Sequence, residues 1–475
     1  MTTTVRGLDG GSVELADEVV EELRSRVRGT VRAAPSGGTD VRPPFNAMLQ
    51  GRPGLVVECT GAADVVDAVN FAREHRLLLT VRGGGHSIAG LSSTDGGLLV
   101  DLGAMRGVVV DPDRRLARVQ GGSLWADVDR EAQAFGLVTP GGVVSDTGVG
   151  GLTLGGGYGW VRRKYGLACD ALVEAQVVGA DGAVRTASAE SHPDLFWALR
   201  GGGGNFGVVT SFTFRLRPLG PVVAFAGVMY PAEEVASVVR RWRDVVVGAP
   251  RELTSITVTF TFPAAPGMPE VVHDRPVTIV GGVYAGDVEV GMAALQPLRE
   301  LGTPLLDISR PMPFTVVQSS FDALFPRNQH RSYWKSQYLD ELTDDAVDAF
   351  AEAALARPAP LTVVNIWHMG GAIADVGPED TAFAERRSPF MVSIDGNWAD
   401  PAMDARCVAW VRDRWAAMAE HGTGSVYLNF TGDDDAAEAE VDSAYGRNLR
   451  RLADVKAAYD PGNLFRHNHN VVPAG

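Results

Sequence analysis

Three consecutive glycines at residues 83–85, followed at once by His86 and Ser87, constrain the fold of this chain more than any other segment. The apolar residues 77–81 just before them predict a buried strand, so the glycines begin a loop at the end of that strand. Glycine adopts positive φ at no steric cost, which lets successive N–H groups point into one concavity suited to an anion. The pattern therefore predicts a phosphate-binding loop beside an imidazole, as expected for a nucleotide cofactor.

A second glycine-dense stretch spans residues 139–159. Such a composition is typical of disordered chain, but this stretch also carries apolar residues that can be buried, among them Val149, Leu152 and Leu154. We therefore expect ordered backbone that wraps around a ligand.

A third glycine cluster, residues 202–207, matches the G-x-G-x-x-G fingerprint of dinucleotide-binding folds. That fingerprint normally follows a strand and opens a helix. Here residues 208–216 alternate in hydrophobicity and place Phe212, Phe214 and Leu216 on one face of a predicted strand. This context is wrong for a Rossmann site, so we reject an NAD-binding function. A P-loop is excluded as well, because no lysine follows a glycine.

Length and composition exclude several classes of protein. A chain of 475 residues, 45% of them hydrophobic, predicts more than one domain. Its 43 basic and 58 acidic residues give a net charge of −15, which disfavours nucleic acid and anionic membrane surfaces as partners. Three cysteines that lie far apart imply neither a disulfide framework nor a zinc site. We find no secretory signal and no segment near the ~20 apolar residues of a membrane span, so we expect a cytoplasmic protein. We expect it to be a monomer or a homodimer.

An acidic run from Asp433 to Asp442 offers a metal site as one interpretation. Its alanine spacing and its position before a helical pattern favour a solvated helix start, where carboxylates interact well with the helix dipole. We therefore predict no metal site.

The pattern of elements predicts an α+β chain in three segments. Early strands lie too close together for regular βαβ winding. After a Pro- and Gly-rich boundary at 218–221, the residues to 424 lack glycine runs and carry long amphipathic helices, such as 233–246 and 404–420. We therefore divide the chain into a first part at 1–219, a second domain at 220–424, and a last segment at 425–475 that returns to a helix and a terminal cluster of Asn and His residues.

Six segments together resemble the berberine-bridge-enzyme-like oxidoreductases, which belong to the vanillyl-alcohol-oxidase group of FAD enzymes. They occur in the family's order and span nearly the whole chain, at residues 82–87, 147–159, 163–167, 194–207, 427–429 and 459–470. The resemblance implies an FAD-binding domain of the PCMH type, built from both ends of the chain. It also implies a substrate domain in which helices back an antiparallel sheet.

The resemblance further implies that residues 82–87 cradle the FAD pyrophosphate and that His86 is bonded covalently to the 8α carbon of the flavin. An imidazole held against that carbon can add to it when the 8α position becomes electrophilic. Many relatives have a second bond from a cysteine, but Val144 stands at that position here, so no cysteinyl link is expected. The predicted FAD-binding residues are Arg82, Gly83, Gly84, Gly85, His86, Ser87, Pro140, Gly141, Gly142, Thr147, Gly148, Gly150, Gly151, Gly155, Gly156, Gly157, Val209, Tyr427, Asn429, Asn468 and Asn470.

Flavin oxidation of an alcohol or amine needs a base that accepts a proton while a hydride leaves. The resemblance assigns this role to Tyr427, in a predicted strand, with Tyr158 in support. The alternative interpretation is a core tyrosine with a satisfied hydroxyl. Trp367 and His368, on a predicted strand of the second domain, are candidates for the substrate face, and ordinary sheet packing is their alternative.

The expected activity is that of an FAD-dependent oxidase. It would take a hydride from a C–H next to a hydroxyl or amine of a small molecule and pass the electrons to O2, giving H2O2. The family acts on sugars, alkaloids and natural-product alcohols, and a composition rich in Arg, Ala and Val favours a bacterial natural product as the substrate. The alternative is a flavoprotein dehydrogenase, or a flavin-binding protein that reacts poorly with O2.

Overall fold

The computed structural model of the chain describes residues 2–33, 42–49, 51–264, 268–432 and 437–475. In it, the first glycine loop follows the end of a four-stranded sheet. The sheet has the spatial order Thr30–Ala33, Leu55–Glu58, Leu98–Asp101 and Leu79–Arg82. Its last three strands are parallel, and Leu98–Asp101 is buried along its whole length, as expected for a strand that is covered on both faces. The loop at residues 83–87 follows Leu79–Arg82, so the strand-then-loop prediction is confirmed.

Smaller elements accompany this sheet. They are the two-stranded pair Thr2–Arg6 and Ser12–Ala16 and the helices Asp17–Arg26 and Ala62–Glu74. The apolar faces of these helices join the same hydrophobic cluster as the strands, through residues such as Leu23 and Val65.

An antiparallel sheet of five strands carries the third glycine cluster. Its spatial order is Val184–Ser188, Leu172–Val178, Val208–Arg215, Leu116–Gln120 and Val108–Asp111. The strand Val208–Arg215 directly follows residues 202–207, which confirms that this cluster does not open the helix of a Rossmann site.

The glycine-dense stretch at 139–159 is ordered, as predicted, but it also contains a helix, Val149–Leu154. Both end residues of that helix are buried in the core beside the five-stranded sheet, and this packing outweighs the poor helix propensity of Gly150 and Gly151. The other elements of this part are the helices Trp125–Gln133, Arg162–Tyr165, Ala168–Ala171 and Pro193–Leu199 and the paired short strands Leu137–Val138 and Arg217–Pro218.

The middle of the chain forms an antiparallel sheet, which in the described residues has eight strands. Seven run in the order Leu306–Asp307, Val222–Pro231, Arg275–Tyr284, Leu253–Phe262, Val363–His368, Phe390–Trp398 and Arg331–Leu339, and Arg310–Pro313 also pairs with Val222–Pro231. The helices of this part are Val235–Val247, Val288–Leu295, Phe314–Gln318, Asp344–Leu355 and Asp404–Ala419. The predicted helices at 233–246 and 404–420 are thus confirmed to within a few residues.

The two faces of this sheet differ in what covers them. One face packs against the long helices in a single apolar core, for example through Val364 and Ile366. The other face, with Val363 and Trp367, meets Tyr158 and Trp160 of the glycine-rich part. The fold is therefore α+β with helices backing one face of an antiparallel sheet, as expected.

The C-terminal segment packs back onto the first part of the chain. Its helices are Ala437–Tyr445 and Leu449–Tyr459, and Leu452 and Val455 share a core with helix Pro193–Leu199. The buried Lys456 ammonium donates hydrogen bonds to the carbonyls of Asn205 (2.6 Å) and Phe465 (2.9 Å) and pairs with Asp460 (2.7 Å). Of the acidic run, Asp433–Asp435 lie outside the described residues. Within the described ranges every helix is too short or too polar to span a bilayer.

Candidate functional site

A cavity of about 330 Å³ lies where the glycine-rich loops, the C-terminal segment and the free face of the eight-stranded sheet meet. One side is the glycine wall, residues 83–87 and 147–157. The opposite side is the sheet wall, formed by Ile256, Val258, Trp334, Val363, Asn365, Trp367 and Asp395. Among the predicted residues that line the cavity are Gly83, Gly84, Gly85, His86, Ser87, Gly142, Thr147, Gly148, Gly150, Gly151, Gly155, Tyr158, Val209, Trp367, Tyr427, Asn429 and Asn468.

The two loops of the glycine wall touch at Gly84 and Gly148. A Cβ on Gly84 would lie 2.3 Å from the Cα of Gly148, and a Cβ on Gly148 would lie 2.4 Å from the nitrogen of Gly84. Only glycine fits at either position, because both obstacles are backbone. Gly85 has φ +72°, in the left-handed region that favours glycine.

The loop of residues 83–87 lines the cavity. No backbone N–H from Gly83 to Ser87 donates a hydrogen bond to another described residue. Successive free N–H groups on a concave loop form the kind of nest that binds phosphate oxygens. The loop thus fits the pyrophosphate of FAD.

Arg82 is the exception within the predicted phosphate loop. Its guanidinium is fully buried and donates to the carbonyls of Ser92 (2.9 Å) and Arg42 (2.6 Å) and to the hydroxyl of Ser93 (3.3 Å). These contacts leave it away from the cavity lining. The Arg82 side chain therefore supports the loop from behind, and a contact of this residue with FAD stays a prediction.

His86 is held on two sides. Its ring stacks on Phe45, with centroids 4.0 Å apart and an interplanar angle of 21°. Its Nε2 lies 3.0 Å from Oδ1 of Asp146, and the other carboxylate oxygen accepts a hydrogen bond from Arg327 at 3.1 Å. Burial opposes ionisation of Asp146, but hydrogen bonds and charges from His86 and Arg327 outweigh it and lower the pKa of this carboxyl. Asp146 and Arg327 were not predicted, because nothing in their local sequence marks them as neighbours of a histidine that lies 60 residues from Asp146 and much farther from Arg327.

Tyr427 lies at the edge of the glycine wall, in a cluster of buried aromatic rings. The sequence predicts a strand at Tyr427, but the residue lies outside any strand. Its N–H donates to the Ser336 hydroxyl at 3.1 Å, and a turn of 3-10 helix, Leu428–Phe430, follows. Its hydroxyl accepts hydrogen bonds from the Asn429 amide (2.8 Å) and from the Gly157 N–H (3.2 Å). Burial raises the pKa of Tyr427 above its usual range despite these two donors.

Tyr158 is equally enclosed. Its ring lies 4.4 Å from that of Tyr427, and its hydroxyl is hydrogen-bonded to the hydroxyl of Tyr338. Burial, with the neighbouring tyrosines, raises the pKa of Tyr158 as well. Both tyrosines reach the cavity, but neither environment favours a phenolate.

Asp395 is a buried carboxyl on the sheet wall that sequence reasoning missed. It accepts hydrogen bonds from the amide of Asn365 (2.8 Å) and from the hydroxyl of Ser393. Burial raises its pKa to about 7, against these two hydrogen bonds. The signal in the sequence is faint: Asp395 is the one charged residue of the buried strand Phe390–Trp398, where a carboxyl is costly unless it is used or paired.

His368 lies on the wrong face of the sheet to contact a ligand in the cavity. Neighbouring residues on a strand point to opposite faces, so Trp367 lines the cavity while His368 packs near Trp242 and Phe390 under the helices. Burial, with the nearby Arg163 and Arg162, lowers the pKa of His368 well below its usual value. The prediction that this residue lines the substrate face is therefore wrong.

Other predicted FAD-binding residues stand behind the lining. Pro140, Gly141, Gly156, Gly157 and Asn470 are not among the residues that line the cavity. Packing still requires glycine at the three glycine positions among them. A Cβ on Gly141 would clash with Trp125, one on Gly156 with Phe383, and one on Gly157 with Leu152. These positions shape the glycine wall rather than touch a ligand.

The C-terminal side offers amide groups. Asn468 lines the cavity and donates to the carbonyls of Phe465 (2.9 Å) and Gly204 (3.2 Å). Its Oδ1 and that of Asn470 are buried, and neither accepts a hydrogen bond from a residue that the structure describes. A buried orphan acceptor at a cavity wall fits a ligand with N–H donors, such as a flavin ring. Across the described ranges, no three His, Cys, Asp or Glu side chains are grouped as a metal site requires.

Comparisons with known proteins agree with this geometry. Residues 53–188 match the family described as FAD binding domain, and residues 426–472 match the family described as berberine and berberine like. An FAD-linked oxidoreductase of Bacillus subtilis is 30% identical over 442 residues, covering 91% of this chain and 94% of the relative.

Two further similarities involve named oxidases. The (R)-6-hydroxynicotine oxidase of Paenarthrobacter nicotinovorans is 30% identical over 438 residues, covering 89% of this chain and 92% of that protein. The structure of a xylooligosaccharide oxidase from Myceliophthora thermophila in complex with xylobiose has a TM-score of 0.81 and 26% identity, covering 96% of this chain and 100% of that one. The glycine wall, the fold and these similarities lead to one conclusion: the chain belongs to the berberine-bridge-enzyme-like family of FAD-linked oxidoreductases.

Proposed function

We propose that this protein is an FAD-dependent oxidase that removes a hydride from a C–H next to a hydroxyl or amine and passes the electrons to O2, giving H2O2. Residues 1–219 and 425–475 would hold the cofactor, and residues 220–424 would cover it and select the substrate. The observation that carries the proposal is the pairing of a free-amide glycine wall with a sheet wall that presents one buried carboxyl. Named oxidases among the relatives support O2 as the acceptor.

The glycine wall and the C-terminal segment would hold FAD. The free amides of residues 83–87 would bind the pyrophosphate, His86 would form a covalent bond to the 8α carbon, and Asn468 would meet the ring. FAD supplies the hydride acceptor when it is bound. Val144 lines the cavity where many relatives have a cysteine, and Cys59, Cys169 and Cys407 are buried away from it. A single histidyl link therefore fits the site.

Asp395 is the group we assign to accept the proton of the substrate. A general base works best when its pKa lies near the working pH, and burial raises the pKa of this carboxyl to about 7. Tyr427 is less suited, because burial raises its pKa and its hydroxyl already accepts two hydrogen bonds. We assign Tyr427 the role of holding Gly157 and Asn429 in place at the edge of the glycine wall.

The chemistry of the sheet wall favours a small and mostly apolar substrate. Among its residues, Asn365 and Asp395 carry polar side chains besides the two indoles, and the Asn365 amide already donates to Asp395. The indole N–H groups of Trp334 and Trp367 already donate to Asn397 and Asn365. A sugar needs many more hydrogen-bond partners, because each buried hydroxyl without one costs about 1–3 kcal/mol. We therefore favour an aromatic or alicyclic natural product with one reactive hydroxyl or amine.

The test starts with the purified protein. We expect a yellow protein whose colour stays with the acid-precipitated polypeptide, and peroxide release with aromatic alcohols or cyclic amines but not with xylo-oligosaccharides. A colourless protein would contradict the proposed cofactor. Mixing the anaerobically reduced protein with air decides the acceptor: reoxidation within seconds supports an oxidase, and reoxidation over hours identifies a dehydrogenase instead.

A further inference from the structure

The environment of His86 fixes which of its two ring nitrogens can react. The stacked Phe45 ring sets the plane of the imidazole, and Asp146 engages Nε2. Phe45 is itself tied to the loop, because its N–H donates to the carbonyl of Gly85 at 2.8 Å and its carbonyl accepts from the N–H of Asn328 at 2.9 Å. The imidazole therefore has one tethered nitrogen, Nε2, and one that makes no hydrogen bond to a described residue, Nδ1.

Asp146 is held rigidly at this place. On one side Ala126 N–H donates to the carbonyl of Ser145 at 2.8 Å, and on the other Trp125 N–H donates to the carbonyl of Thr147 at 3.0 Å. Hydrogen bonds to the carbonyls of the preceding and the following residue thus hold the backbone at Asp146 and place its carboxylate beside His86.

Arg327 completes the network from the other part of the chain. Its guanidinium donates to Oδ2 of Asp146 (3.1 Å) and more weakly to the carbonyls of Gly85 (3.3 Å) and Asp146 (3.4 Å). A carboxylate can only accept hydrogen bonds, so it requires a proton on Nε2 of His86. The lone pair of the neutral imidazole is then on Nδ1.

We propose that Asp146 is a positioning residue for covalent attachment of the flavin, which keeps the ring proton of His86 on Nε2 so that the bond forms from Nδ1. This inference rests on the proposed function and goes beyond it, because it assigns a residue that contacts neither substrate nor the reacting carbon. The charge of Asp146 also offsets the positive charge that develops on the imidazole as Nδ1 forms its bond.

The attachment balances as an oxidation. One N–C bond forms between Nδ1 and the 8α carbon, one C–H bond of the 8α methyl group breaks, and the ring proton leaves Nε2. The two electrons of that C–H bond pass through the ring system to O2, the acceptor of the proposed oxidase, which takes up two protons to give H2O2.

The test uses the full-length apoprotein mixed with FAD in air, with covalent flavin followed by fluorescence of the denatured protein and by intact mass. We expect Asp146→Ala to slow attachment by about tenfold or more, by analogy with carboxylates that orient metal-binding histidines. Asp146→Asn should be at least as slow, because its amide oxygen faces the Arg327 donor and its NH2 group then donates to Nε2, which moves the ring proton onto Nδ1. Binding of FAD before attachment should persist in both variants.

Asp322→Asn is the matched control. Asp322 accepts a hydrogen bond from the N–H of Ser145 at 2.9 Å, on the same loop, but does not contact His86. The Asp322→Asn variant should attach FAD at the same rate as the unmodified protein. Attachment at the unmodified rate in Asp146→Asn overturns the positioning role while the proposed oxidase stands.

The identity of the linked nitrogen gives a second measurement that needs no variant. Proteolysis of the flavinylated protein releases a histidyl-flavin whose two isomers are distinguished by NMR. We expect the Nδ1 isomer, and the Nε2 isomer overturns the inference. An unmodified protein that binds FAD without any covalent bond overturns both the attachment in the proposed function and the role of Asp146.

Discussion

The glycine wall and the sheet wall face the same cavity but are built on opposite principles. The glycine wall works through backbone: its loops approach within 2.4 Å of a would-be Cβ at Gly148, and its N–H groups from Gly83 to Ser87 donate to no other residue that the structure describes. The sheet wall works through side chains that neighbouring strands bring together: Asp395 pairs with Val363 on one side and with Trp334 on the other. Backbone suits a cofactor that is the same for a whole family, whereas side chains suit a substrate that differs between members.

The sharpest test of this comparison is the carboxyl of the sheet wall. Asp395→Asn should slow reduction of the bound flavin by substrate at least about 100-fold, because removal of a general base typically costs that much or more. FAD content and covalent attachment should stay unchanged, because the glycine wall is intact. Stopped-flow absorbance under anaerobic conditions measures the reduction, and absorbance and fluorescence of the denatured protein measure FAD content and attachment. Unchanged reduction would mean that the sheet wall supplies shape but no chemistry.

The glycine wall is tested by a single methyl group. Gly148→Ala forces a Cβ against the backbone of Gly84, and we expect a loss of about 1–3 kcal/mol in the free energy of unfolding together with reduced FAD content. The φ of Gly148 is −68°, which alanine adopts readily, so the effect isolates the close approach from backbone strain.

Gly151→Ala is the matched control for that change. It lies in the helix Val149–Leu154, and a Cβ there meets nothing within 4 Å. Alanine should be neutral or slightly stabilising at this position because it favours helix over glycine. Equal losses in the two variants, measured by thermal unfolding of the apoprotein, would contradict the role of the loop crossing.

What the sequence predicts follows the same division. The glycine wall was predicted almost residue by residue, since its signal is local: glycines next to one another, after a strand, beside a histidine. The partners of His86 and the carboxyl Asp395 were not, because Asp146 is 60 residues from His86 and Asp395 lines the cavity only through the pairing of Phe390–Trp398 with two other strands. The error at His368 has the same cause. Successive side chains of a strand point to opposite faces of the sheet, but the sequence does not say which face borders the cavity.

Tyr427 lies at the seam between the two walls, so its removal should have a smaller effect than that of Asp395. In Tyr427→Phe the N–H of Gly157 and the amide of Asn429 lose their acceptor, but the proposed base remains. We expect flavin reduction by substrate to slow by less than about tenfold, equivalent to about 1.4 kcal/mol. A decrease as large as that of Asp395→Asn would transfer the role of base from the sheet wall to the tyrosine.

The last test is a pH dependence of stability that comes from the carboxyl of the sheet wall. The pKa of Asp395 is raised to about 7 in the fold, whereas an unfolded Asp has a pKa near 3.9. The folded state therefore holds this proton more tightly, so the stabilisation is fully present below about pH 4 and is lost as the pH rises to about 7. Relative to Asp395→Asn, the unmodified protein should lose a few degrees of melting temperature between pH 5 and pH 8. The variant His368→Gln, altered on the opposite face of the same sheet, should lose more melting temperature than the unmodified protein over this range, because the lowered pKa of His368 makes its own contribution to stability rise with pH up to about 6.5. If Asp395→Asn keeps the pH dependence of the unmodified protein, the carboxyl is ionised at neutral pH without cost, and the sheet wall is more polar than its residues imply.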